Sequence, residues 1–432
     1  MQRTQTHIAI ALLVLLGFGL GLWRCTGGEG IGRYTSDYYI EYLVAGERLV
    51  TGGTIVSPLI REPVPAEPSA MMPPAYIGLV AGLFELFGVR SYAAIFTLKF
   101  LNVLANALAV WVTFAVSTRM RCGWGRWIAA ALVAANPLLI GFTKYIWDTS
   151  LFTVAVVISV WMASRLGEQR KPWWYWLAYG LWLGLVALLN PALTIGYPVL
   201  VLWPVTRIHG WRFQPIARAA TLSLCGWAAV IGPWTVRNYA ELGKLVYIRN
   251  GFALQLWLGV CTEADRHGAS VFASQFPLMN DAAHERIASI GERRYLEECR
   301  QRSIDAIAAD PLRYLKLVGI RAIDFFAGTV FTHAERGAGG WPKHPRRAVV
   351  MFFLLGESLI IMAGYVLIAR RLQADVHWLT ALIAVFSCVY LLTHVQIRFR
   401  SPIEPVFAIV LGAIIHQGYL AWAARRSRTA AR

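Results

Sequence analysis

The segment Tyr34-Thr35-Ser36-Asp37-Tyr38-Tyr39-Ile40-Glu41-Tyr42 sets two carboxylates, Asp37 and Glu41, four residues apart, which is one common face if the segment is helical. A carboxylate that is partly desolvated beside cations can take the proton of a hydroxyl acceptor as a general base. A solvated acidic turn leading into a helix N-terminus has the same spacing. Lys144 and Asp148 are again four apart, either as an ion pair or as ionisable groups kept near membrane depth for function. Further on, His394-Val395-Gln396-Ile397-Arg398-Phe399-Arg400-Ser401-Pro402 carries two guanidinium groups, whose planar forks match phosphate oxygens. Headgroup contact by long basic side chains is the competing explanation. Lys99, Asn102 and Asn106 share one face of an apolar run, which must then turn toward other helices.

The elements that position these groups are membrane helices. Hydrophobic residues make up 57% of the 432 positions and charged ones 15%, against about a quarter charged in soluble domains. The formal charge of +17 comes from short Lys/Arg clusters between apolar runs, where they orient helices across a bilayer; this excludes a nucleic-acid partner. A membrane helix needs about 20 mostly apolar residues. Runs meeting or approaching this are 8–23, 92–116, 127–145, 148–165, 173–190, 192–206, 218–235, 347–369, 376–394 and 402–423, so the expected fold class is an all-α polytopic bundle of about ten spans. With a cytoplasmic N-terminus the clusters at 119–126, 165–171, 207–218, 370–371 and 425–428 all fall inside. The stretch with Arg398 and Arg400 is basic yet falls outside, which suggests an anionic ligand.

The stretches 73–88 and 312–331 are weaker: the first is short, and the second carries Lys316, Arg321 and Asp324. Both are expected to lie at the outer interface. A first external loop then runs over 24–91 and a second over 236–346, on the same side. Within the second, Asp281 to Ala309 has helical charge spacing after Asn280 as N-cap, and Asp310-Pro311 restarts a helix. Six Cys without C-x-x-C spacing indicate neither a zinc site nor a redox motif, although Cys261 and Cys299 share one external segment and are able to pair.

Taken together these stretches resemble the GT-C superfamily of polyprenyl-phosphate-sugar glycosyltransferases, in the group of protein O-mannosyltransferases and lipid A aminoarabinose transferases. The resemblance covers most of the chain. It rests on Ser36 to Tyr42, Met72-Pro73-Pro74-Ala75-Tyr76, Gly184 to Pro191, Pro233-Trp234-Thr235-Val236-Arg237-Asn238-Tyr239, Gly251 to Gly259, and Arg398-Phe399-Arg400-Ser401-Pro402-Ile403-Glu404-Pro405. It divides the chain into a transmembrane module over 1–235, an external helical loop over 236–346 and C-terminal helices over 347–432.

What the resemblance implies is an inverting transfer of a monosaccharide from a polyprenyl-phosphate carrier to a glycolipid, glycan or protein acceptor. Asp37 matches the family's first-loop base. Arg398 and Arg400 match its phosphate-binding residues, with Arg237 and Lys144 as further candidates, and their contribution is electrostatic stabilisation of the departing phosphate. Members with adjacent first-loop acids differ from this chain, where Tyr38 follows Asp37; Glu41 or Asp148 then stands as second carboxylate, and Asn238 and His394 complete the candidate set. No cofactor is implied, with a divalent metal left possible. The expected location is the inner (plasma) membrane with the site facing the periplasm or exterior. A carrier or flippase that binds the same lipid-linked saccharide without bond chemistry is the alternative.

Overall fold

The computed structural model describes residues 2–26, 41–60, 67–262, 264, 274–328 and 345–430. Asp37 and its neighbours at 27–40 lie outside the described residues. What is described is helical, apart from one bridge between Val56 and Pro68.

The first helix, α1 (Gln2–Thr26), leads to α2 (Glu41–Gly52) and α3 (Pro74–Phe87) in the first loop, followed by α4 (Tyr92–Arg119). Next come α5 (Gly125–Ala134), α6 (Pro137–Phe142), α7 (Thr149–Leu166), α8 (Trp173–Leu189), α9 (Tyr197–His209) and α10 (Phe213–Leu242). The second loop contains α11 (Phe252–Val260), α12 (Asp281–Ile290), α13 (Glu292–Ala309) and α14 (Pro311–Ala327). The chain ends with α15 (Pro345–Ile368), α16 (Ala374–Leu392) and α17 (Glu404–Ala430).

Eight helices among the described residues are long and apolar enough to cross a bilayer. The runs at 173–190 and 192–206 form shorter pieces, because Asn190-Pro191 ends α8 and opens a 3-10 turn, Pro191–Gly196, before α9. Proline cannot continue the helix, and the Asn190 side chain caps the turn at Ala192 N (3.0 Å). The protein's interior joins residues such as Val110, Ala130, Val157, Leu200, Phe386 and Val406. Leu12, Leu15, Leu104, Leu224, Val366 and Leu367 point outward from these long apolar helices, as a lipid-facing surface requires. α8 and α10 pack backbone to backbone: a Cβ on Gly180 would collide with the Ser223 carbonyl, and one on Gly226 with that of Leu177.

α10 has 30 residues and so extends about 45 Å, longer than a hydrocarbon core of about 30 Å. Pro233 therefore sits inside the helix, and the motif around it, expected near a helix end, rides on turns that reach into the loop layer. In the second loop the expected single run divides at Gly291 (φ 80°) into α12 and α13. Both anticipated caps are present: Asn280 accepts from Ala283 N and Asp310 from Arg313 N. α14 turns Leu312, Leu315 and Ile323 outward and buries Arg321 and Asp324, an apolar exterior over a charged interior. The two loops meet: Leu59 and Met71 of the first share an apolar cluster with Leu254, Leu258, Tyr295 and Cys299 of the second. Cys261 and Cys299 both lie buried in that cluster.

Candidate functional site

Where the loops meet the bundle, a cavity of about 650 Å³ opens. Its polar lining includes two carboxylates, Glu41 and Asp148, and two guanidinium groups, Arg249 and Arg398. Its apolar lining runs from Met71 and Phe276 in the loop layer to Ile195 and Trp227. Trp227 lies near the middle of α10, so the cavity spans the depth from surface to membrane interior.

Asp148 occupies the N-cap position of α7 but makes no capping bond with its side chain. Its carboxylate accepts instead from Asn190 Nδ2 (2.7 Å) and from Tyr42. Asn190 thus serves twice, since its carbonyl caps the 3-10 turn while its amide holds Asp148. Tyr42 is wedged edge-on between Tyr76 (4.7 Å) and Trp147 (4.8 Å). On the Trp147 ring lies the Arg398 guanidinium, 4.3 Å from the centroid and 5.2 Å from that of Phe399. Such a sandwich fixes a cation that would otherwise sweep a wide volume.

Glu41, the first residue of α2, is buried, and its Oε2 has no hydrogen-bond partner. Burial pushes its carboxyl up to about 7, against the opposing pull of Arg398. His394 lies beside Arg398 and Arg321; burial first and these two cations second bring its imidazole down to about 3, so it lines the cavity as a neutral group.

Four of the sequence-derived candidates, Glu41, Asp148, His394 and Arg398, therefore line one cavity although they are distant in the chain. Four others are engaged elsewhere. Arg400 is enclosed among Glu357 (2.7 Å), Glu404, the Phe326 carbonyl (2.7 Å) and Ser358 (2.9 Å), while Asn136 Nδ2 bonds the far oxygen of Glu404 (2.7 Å). Arg237 donates to the carbonyls of Ser69 and Ile55 (2.9 Å each), and Asn238 to that of Val246 (3.0 Å). Lys144 lies over the Tyr145 ring (4.7 Å). Lys99 is buried, and Asn102 and Asn106 on its face bind the carbonyls of Tyr145 (2.8 Å) and Leu139 (2.9 Å), the packing use of that polar stripe.

Sequence reasoning missed Arg249 altogether. It stands in Tyr247-Ile248-Arg249-Asn250, a short link between two quoted motifs, where nothing about its spacing sets it apart from other loop arginines. It also missed the roles of Tyr42, Trp147 and Asn190, each part of or adjacent to a stretch it had singled out. Among the described residues no three His, Cys, Asp or Glu side chains gather as a metal site. Glu41 lies in the field of Arg398, and Asp148 in the fields of both Arg398 and Arg249.

No protein-family model and no curated protein matches the sequence. Among solved structures, the archaeal oligosaccharyltransferase AglB from Archaeoglobus fulgidus, in complex with an inhibitory peptide and a dolichol-phosphate, aligns with a TM-score of 0.58 at 14% identity. That alignment covers 100% of this chain and 52% of that one. The chain shares its fold with the aligned part of that oligosaccharyltransferase. It spans about half the length of that oligosaccharyltransferase. The same archaeal enzyme in complex with Zn and sulfate aligns at 0.54 and 12% identity over 94% of this chain and 48% of that one. ArnT from Cupriavidus metallidurans bound to undecaprenyl phosphate aligns at 0.36 and 12% identity, over 96% and 78% of the two chains. The cavity sits at the loop end of the helical bundle, bounded by α2, the start of α7, the 3-10 turn after α8, the link after α10 and the segment before α17.

Proposed function

We propose that the protein is a membrane glycosyltransferase that moves a monosaccharide from a polyprenyl-phosphate carrier to an extracytoplasmic glycolipid, glycan or protein acceptor. The observation that carries this reading is one cavity lined by two arginines and two carboxylates, with an apolar wall reaching membrane depth. Ile195, Leu245, Tyr247 and Phe252 line it and are also exposed, so a prenyl chain can leave it sideways into lipid. AglB, the solved protein of like fold, was captured with a dolichol-phosphate, a ligand of the same chemistry.

In this reading the donor phosphate rests between Arg249 and Arg398, and the sugar lies against Tyr42 and Trp147. Asp37, a few residues before Glu41 in the chain, takes the proton of the acceptor hydroxyl. The freed oxygen attacks the anomeric carbon from the face opposite the phosphate and forms the new C–O bond. The old C–O bond breaks, its electron pair stays on the phosphate, and configuration inverts. The two guanidinium groups stabilise the charge that gathers on the leaving oxygen. Asp148, held by Asn190 and Tyr42, is set to orient a sugar hydroxyl. Glu41, titrating near neutrality, is set to accept the proton next. The distribution of basic clusters supports a cavity on the periplasmic or outer face of the inner (plasma) membrane.

Binding of farnesyl phosphate to the detergent-solubilised protein tests this reading. Wild type should bind, and Arg249→Ala and Arg398→Ala should each weaken binding about 10- to 100-fold, the scale of lost charge-assisted hydrogen bonds. Equal affinity in all three would contradict it.

A further inference from the structure

Glu292 plays no part in the chemistry above, yet it is among the most deeply buried carboxylates described, 2% exposed. It opens α13, where the helix dipole favours an acidic residue, but that interaction needs no burial. Burial pushes its carboxyl up, so the fold keeps it there at a cost. Its partners come from three chain segments. Ser69 Oγ reaches both of its oxygens (2.9 and 2.8 Å), Asn250 Nδ2 donates to Oε1 (3.2 Å), and Ser57 bonds it as well. Ser69 Oγ in turn accepts from Met71 N (2.9 Å), and the Asn250 amide donates to the Ala70 carbonyl (2.9 Å). Met71, Arg249 and Asn250 all line the cavity.

The other side of the same link is tied to α10. Asn238, Thr235 and Trp234 donate to the carbonyls of Val246 (3.0 Å), Tyr247 (2.9 Å) and Ile248 (2.7 Å). Arg237 adds the clamp on Ser69 and Ile55. The strip 246–250 is therefore fixed at one end by α10 and at the other by Glu292, with Arg249 next to the tied end. No bond holds the Arg249 guanidinium itself among the described residues, so its aim depends on the backbone beneath it.

We propose that Glu292 is a positioning residue: from the helical insert of the second loop it anchors strip 246–250 and thereby aims Arg249 at the lipid-linked phosphate. This rests on the reading of Arg249 as a phosphate ligand. The insert is then part of the donor site although none of α13 enters the cavity.

The test compares wild type with Glu292→Ala, Glu292→Gln, Ser69→Ala, Arg249→Ala and the Glu292→Ala/Arg249→Ala double variant, using amide hydrogen exchange and farnesyl phosphate binding. Glu292→Ala and Ser69→Ala should speed exchange across 246–251 and weaken binding about tenfold, the scale of a lost hydrogen bond to a charged group. Glu292→Gln, which still accepts from Ser69, should restore most of both. Arg249→Ala should weaken binding and leave exchange unchanged. The double variant should bind no more weakly than Arg249→Ala, because one effect acts through the other. Additive losses, or unchanged exchange in both Glu292→Ala and Ser69→Ala, would overturn the proposal. If exchange rises as expected but wild type binds no farnesyl phosphate, the anchoring stands and the phosphate reading falls.

Discussion

At the scale of single residues the account turns on how burial and stacking alter ordinary side chains. Glu41 ionises near pH 7 in the folded protein and near 4.5 when unfolded, so the folded state holds its proton more tightly. Stability is then greatest below pH 4.5, falls as pH rises through 7 and levels off above. Glu41→Gln should remove that loss: the variant is expected to be more stable than wild type at pH 8 by on the order of 3 kcal/mol and equal to it at pH 4. Thermal melts in detergent across this range check it, and parallel curves would refute it. His394 shifts the opposite way, down to about 3, and costs stability as pH drops below 6.5, where only the unfolded imidazole gains a proton. Arg398 is held between Trp147 and Phe399. Arg398→Lys keeps the charge but loses the planar stack, so farnesyl phosphate affinity should stay near that of Arg398→Ala rather than recover.

At the scale of elements, Arg398 and Arg400 on the 3-10 turn Ile397–Ile403 before α17 do different work. Arg398 faces the cavity, whereas Arg400 bonds both Glu357 and Glu404 in the interior, where its side chain is 1% exposed. Arg400→Ala should destabilise the protein by about 3 to 5 kcal/mol by removing the one buried cation to which both Glu357 and Glu404 bond. Arg398→Ala should lose ligand affinity with little change in melting. Gly180→Val should cost about 3 kcal/mol or more by forcing α8 off the Ser223 carbonyl of α10.

The same pair of arginines shows what a sequence can and cannot reveal. Helices were legible, since apolar runs, the Asn280 and Asp310 caps and the Asn190-Pro191 break all act within a few residues. That Pro233-Trp234-Thr235-Val236-Arg237-Asn238 matters was legible too. Its use was not, because its side chains serve the carbonyls of Ile55 and Ser69 and those at 246–248, and pairing across such separations leaves no local periodicity. Arg249 was invisible for the same reason: its importance comes from where the strip lies, and its own neighbours do not signal it.

At the scale of the whole molecule, the pattern of basic clusters predicts that both loops lie on one side of a membrane and the clusters on the other. In a background with the exposed Cys225 and Cys388 replaced by Ser, Gln169→Cys and Arg294→Cys should react with a membrane-impermeant maleimide from opposite sides, Arg294→Cys from outside. Labelling of both from one side would invert or break the topology. The central claim is that the cavity where the loops meet transfers sugar from a lipid phosphate. Its most direct test incubates purified wild type and Asp37→Asn with a panel of polyprenyl-phosphate sugars and envelope extract, and follows release of polyprenyl phosphate by mass spectrometry. Release by wild type from one donor, with loss of release in Asp37→Asn, is the predicted result. Donor binding by both proteins without release by either would contradict it and describe a carrier of lipid-linked saccharide.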